Sequence, residues 1–126
     1  MVSTILSVMA GGAIGSGLRF ALGLALPQAA GRFPFTTLAI NIVGSFVLGV
    51  VSALAARTTT LNRELTVFLG AGLCGGFTTF STLSVEMFSL WELDRTWMML
   101  AYALASLIGG FLAAVLGVTV VTSLTR

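Results

Sequence analysis

Four long apolar stretches make up almost the whole chain, and three short polar stretches separate them. The first runs from Ser3 to Leu26 and stops at Pro27 and the loop QAAGRFP. The second runs from Phe35 to Ala56 and is followed by RTTTLNRE. The third runs from Leu65 to Leu90 and is followed by WELDR, with Trp91 and Trp97 placed as interfacial anchors. The fourth runs from Thr96 to Leu124. A membrane-spanning helix needs about 20 mostly apolar residues at about 1.5 Å per residue. Each stretch is long enough to span, and the pattern predicts an all-α membrane protein with one four-helix domain over residues 1–126. The first stretch is read as retained, because MVSTILSVMAGG lacks the positive head of a signal peptide.

The third stretch breaks its own pattern. Within it, LCGGFTTFSTLSVE (residues 73–86) places Gly75, Gly76, Thr78, Thr79, Ser81, Thr82, Ser84 and Glu86 where lipid tolerates polarity least. Glycine is a poor helix former, so a break is expected at Gly75-Gly76. Irregular backbone at membrane depth survives only against protein or a water-filled cavity. A break frees carbonyls on one side, which suit a cation, and N–H groups on the other, which suit an anion. After it, Thr79, Thr82 and Glu86 fall on one helical face, and Phe80 and Leu83 on the next stripe. Hydroxyls in membrane helices commonly bond back to the preceding turn. A run this dense is better explained as the lining of a polar pore.

Two more polar residues stand inside spans. Arg19 is either a snorkelling side chain or a vestibule charge that attracts anions. Asn41 either bonds across to neighbouring backbone or offers its NH2 donors to an anion.

Composition narrows the chemistry. Hydrophobic residues are 57% and charged residues 8%, against about a quarter charged in soluble domains. All six basic residues are arginine and the net charge is +2, too small and scattered for nucleic acid. With no histidine and one cysteine, Cys74, neither a Cys/His zinc cluster nor an internal disulfide can form. Four spans put Arg57, Arg63 and Arg126 on one side and Arg32 and Arg95 on the other. That near-balance gives little orientation signal and suits a chain that inserts both ways and pairs as an antiparallel dimer.

The blocks GGAIGSGLR, TLAINIVGSFVLG and GLCGGFTTFSTLSVE resemble, in order and spacing, the Fluc/CrcB fluoride channels. The resemblance covers nearly the whole chain. It implies four-helix subunits in an antiparallel, dual-topology homodimer with two pores, passive in mode. It implies fluoride export across the bacterial inner membrane, which relieves fluoride toxicity, and no enzymatic activity. It implies a structural sodium ion at the dimer centre, held by backbone carbonyls at positions matching Gly75 and Thr78. Asn41 matches the pore asparagine, Phe80 the first pore phenylalanine, Ser81 and Thr82 the polar track, Glu86 an acidic position near its end, and Arg19 the first-helix arginine. The chain departs from the family at Leu83, where a second phenylalanine is expected, and at Gly110 and Ala114, where hydroxyls are common.

Those residue types suit the ion. Fluoride is small and strongly hydrated, so a pore must replace its water with donors, as Asn41, Ser81 and Thr82 can. The positive ring edge of Phe80 can also face an anion. A fixed cation in the filter would hold the ion too well to let it leave. The alternatives are a proton-coupled fluoride or anion carrier titrating at Glu86, and a packing subunit of a larger complex.

Overall fold

The computed structural model describes residues 1–125. Arg126, counted in the charge balance above, lies outside them. Among the described residues four helices are long and apolar enough to cross a membrane, over Val2–Ala25, Phe35–Arg57, Arg63–Glu92 and Thr96–Leu124. They agree with the apolar stretches to within about two residues at each end, the usual uncertainty of helix boundaries. The first, α1, is Val2–Ala25, and the second, α2, is Phe35–Arg57. The third span is composite. It opens with α3 (Arg63–Val67), capped by the Asn62 side chain accepting from the Leu65 N–H at 2.8 Å. A π-helical stretch, Phe68–Cys74, leads into the short α4, Gly75–Phe77. After a gap comes α5, Phe80–Glu92, and the last span is α6, Thr96–Leu124.

Lipid is as apolar as leucine, so helices in it associate by close packing rather than by the hydrophobic effect. The glycines supply that closeness. The α1 helix packs chiefly on the first half of the third span, and α2 on α6. A Cβ at Gly72 would lie 2.8 Å from the Val8 carbonyl oxygen, and one at Gly76 would lie 2.5 Å from that of Gly12. On the other pair, Gly49 abuts the Ala114 backbone and Gly117 the Phe46 carbonyl. Ala114 is therefore a packing position against α2. Tyr102, Cys74 and Leu90 are the most deeply enclosed side chains, while many large apolar ones, Ile5, Met9 and Phe111 among them, are exposed on the protomer, as a membrane protein allows.

The expected break is present but displaced. Gly75 and Gly76 are helical, with φ −64° and ψ −38° at Gly75. The helix stops at the following pair, where Thr78 (ψ 158°) and Thr79 (φ −151°, ψ 119°) are both extended. The correction has a physical cause. Gly76 is small because α1 lies against it, and its conformational freedom is not used.

Candidate functional site

The break is held by α2. In an uninterrupted helix the Thr79 N–H would bond the Gly75 carbonyl. Here it donates to Asn41 Oδ1 at 2.8 Å, and Asn41 Nδ2 donates to the Thr79 carbonyl at 3.1 Å. The amide thus pairs with both backbone groups of one residue, as a neighbouring strand would. Thr79 also caps α5, its Oγ1 accepting from the Thr82 N–H at 3.1 Å and donating to Thr82 Oγ1 at 3.0 Å. The Thr82 hydroxyl hydrogen is left free to donate elsewhere.

The carbonyls before the break divide into satisfied and released ones. Cys74 O accepts from the Thr78 N–H and from Thr78 Oγ1, both at 2.9 Å. Gly76 O accepts from Arg19 Nε at 3.1 Å and from Ser16 Oγ at 3.4 Å. Arg19 is thus tied to the break through Nε while it lines the smaller of the cavities described below. It places a cation at a helix C-terminus, where the dipole favours it. Gly75 O has lost its helical donor to Asn41. Gly75 is exposed on the protomer, with nothing closer than 3.9 Å to where its Cβ would be. Among the described residues no cluster of His, Cys, Asp or Glu could hold a metal, so an ion here would rely on carbonyl oxygens. A released carbonyl at Gly75 and an extended Thr78 fit a hard cation of that kind.

Two cavities meet at the break. The larger, about 580 Å³, is lined by Asn41, Ser45, Thr79, Phe80, Leu83 and Ser106, among others. Phe80 and Leu83 share it, as their spacing predicts, and the Phe80 ring is 80% exposed on the protomer surface. The smaller, about 270 Å³, is lined by Arg19, Gln28, Thr37, Thr79, Thr82 and Glu86. Only Thr79 lines both. The candidate residues thus form two groups, with Phe80 and Leu83 on one face of α5 and Thr82 and Glu86 on another. Ser81 is exposed and lines neither cavity.

Glu86 is the most heavily bonded side chain of the site. Its Oε1 accepts from buried Thr37 at 2.8 Å and from Gln28 Nε2 at 3.5 Å, and its Oε2 accepts from Tyr102 at 2.6 Å. Sequence reasoning missed Thr37, Gln28 and Tyr102. One signal was available: the chain has a single tyrosine, set in an aliphatic span, and a buried phenol needs a partner. It also missed Ser45 and Ser106. Ser45 donates back to the Asn41 carbonyl at 2.7 Å, the ordinary behaviour of a hydroxyl in a helix, as does Ser84 to Phe80 at 3.0 Å. Ser106 Oγ is buried and has no hydrogen-bond partner among the described residues. It stands one turn before Gly110, so α6 carries a hydroxyl at the cavity although Gly110 and Ala114 do not.

Together the two cavities offer an amide, free hydroxyls, a ring edge and a guanidinium, with one carboxylate, Glu86, whose oxygens are already engaged by Thr37, Gln28 and Tyr102. Such a lining can take a small anion through the membrane; it has no nucleophile set up for bond making.

Comparison with known proteins agrees with this. The family described as "CrcB-like protein, Camphor Resistance (CrcB)" matches residues 6–118. A protein of Mesorhizobium japonicum named Fluoride-specific ion channel FluC is 42% identical over 121 residues, covering 95% of this chain and 97% of its own. Proteins of the same name from Chlorobium phaeobacteroides (39% over 115 residues; 91% and 90%) and Sphingopyxis alaskensis (38% over 124 residues; 98% and 98%) are similarly related. Matched along nearly its full length, with its interrupted third span and its donor-lined cavities, this chain belongs to the CrcB-like family.

Proposed function

We propose that the chain is the subunit of a fluoride-selective channel, not an enzyme, that lets fluoride leave the bacterial cytoplasm passively across the inner membrane. The observation that carries this is the likeness to relatives named fluoride-specific ion channels, over nearly the whole of both chains. The channel is an antiparallel homodimer with two pores. The weak arginine bias and the exposed Phe80 and Gly75 support a partner subunit over that face. Gly75 and Thr78 of each subunit would hold a structural sodium ion through their carbonyls, a role that suits the donor lost from Gly75 O.

In the pore, Asn41 has one Nδ2 hydrogen left after bonding Thr79, and the residue lines the larger cavity together with Phe80 and Leu83. Thr82 offers its free hydroxyl hydrogen in the smaller cavity. Donors on both sides of Thr79 let fluoride exchange water for protein, while the Arg19 guanidinium that lines the smaller cavity has its Nε already engaged by the Gly76 carbonyl. Ser81, exposed on the protomer, would complete the track at the subunit boundary. The test is fluoride efflux from liposomes containing the purified protein, with chloride as control. Fluoride loss without chloride loss is expected; equal rates for both ions, or no flux, would remove the proposal.

A further inference from the structure

Gln28 stands where three cavities meet at the loop end of the molecule. It lines the cavity of Arg19 and Thr82, a cavity of about 230 Å³ that holds Arg32 and Ser89, and one of about 370 Å³ under Phe33 and Thr36. Glu86 lines the first two as well. The contact between Gln28 and Glu86 is therefore the partition between the polar cavity beside the break and the outer cavity that carries Arg32.

That partition is lightly fastened. Thr37 and Tyr102 hold the carboxylate at 2.8 and 2.6 Å, whereas the Gln28 amide reaches it at 3.5 Å, the outer limit of a hydrogen bond. Gln28 itself is exposed, on the loop that follows Pro27. An amide so weakly held can exchange one anionic acceptor for another without losing much. It also covers a carboxylate that would otherwise face an approaching anion with bare charge.

We infer that Gln28 is the mouth donor of this channel. Its Nε2 rests on Glu86 and turns to an arriving fluoride ion, which it passes between the Arg32 cavity and the Arg19 cavity. The inference rests on the fluoride reading above and adds a residue to it. Gln28→Leu keeps the bulk and removes the donor; one hydrogen bond to a charged partner lost at the barrier should slow fluoride efflux roughly tenfold or more. Gln28→Asn keeps the amide but shortens its reach and should fall between that variant and the wild type. Gln28→Glu sets a second carboxylate beside Glu86 at an exposed mouth. Its loss should be the largest at low salt and should recover as impermeant salt is added, since screening shortens from about 10 Å at 0.1 M to about 3 Å at 1 M. A misfolded variant would show no such recovery. The experiment is fluoride efflux of the wild type and the three variants in identical liposomes, at low and high ionic strength. Wild-type or faster flux in Gln28→Leu, or a salt-independent loss in a Gln28→Glu protein that unfolds at the wild-type temperature, overturns the role of Gln28 and leaves the channel reading intact. No fluoride flux from the wild type overturns both.

Discussion

Replacing Asn41 with alanine should do more than remove a pore donor. The side chain makes two hydrogen bonds to one residue, at 2.8 Å to the Thr79 N–H and 3.1 Å to its carbonyl. Among the described residues no other element supplies those bonds at the break. Losing them leaves a donor and an acceptor unpaired at membrane depth, each at about 1–3 kcal/mol, or about 2–6 kcal/mol together. The lower end applies if water from the adjoining cavity reaches both groups. The variant can also recover by closing the gap, with the Thr79 N–H returning to the Gly75 carbonyl and the third span becoming a continuous helix. Either route should abolish fluoride flux: the first by destabilising the site, the second by erasing it. Asn41→Asp is the companion variant. It keeps an acceptor for the Thr79 N–H but sets a carboxylate against the Thr79 carbonyl and beside the anion path, so it too should be silent. The assays are thermal unfolding in detergent and fluoride efflux from liposomes. An Asn41→Ala protein that unfolds at the wild-type temperature and conducts at the wild-type rate would show that the break does not depend on this amide.

Leu83→Phe should raise fluoride flux, because a ring edge opposite an anion contributes about 0.5–1.5 kcal/mol and so roughly three- to tenfold in rate; a slower or silent variant in the same liposomes would mean that the larger ring overpacks the cavity. Gly76→Val should destabilise the protein by about 1–3 kcal/mol, the cost of an overpacked contact, and so lower its unfolding temperature, since its Cβ would stand 2.5 Å from the Gly12 carbonyl oxygen and both partners are backbone. Gly17→Ala, with nothing within 4 Å, is the matched control and should change stability by no more than about 0.5 kcal/mol. Cysteines placed singly in the loops should be labelled from both sides of the membrane in cells; labelling from one side alone, at every loop, would exclude a dual-topology dimer.

The sequence shows which residues are out of place in lipid far better than it shows what they touch. The four spans and the interruption near Gly75 follow from hydropathy and from glycine and hydroxyl chemistry, both local properties. Helical spacing puts Phe80 with Leu83 and Thr79 with Thr82 and Glu86, and the cavities keep those groups together. Partners are another matter. Asn41 meets Thr79 across 38 positions, Thr37 meets Glu86 across 49, and Gln28 meets Glu86 across 58. Periodicity gives the face a residue occupies, not the helix it will meet. The glycine pair shows the same gap. A glycine that lets a helix end and a glycine that lets two helices touch look alike in a sequence, and only the position of α1 separates them.

The clamp across the break also constrains the order in which the protein can be made. Synthesis runs from the N-terminus, so α2 and its Asn41 enter the bilayer before Thr79 has left the ribosome. The third span then arrives with two backbone groups that no lipid can satisfy, and their partner is already in place. A circularly permuted chain that began at the 58–62 loop would reverse this. Its third span would reach the membrane first, with Thr79 unpartnered, and would gain by inserting as an unbroken helix. The linear order of the spans is thus part of how the break survives insertion, although it leaves no trace in the finished packing.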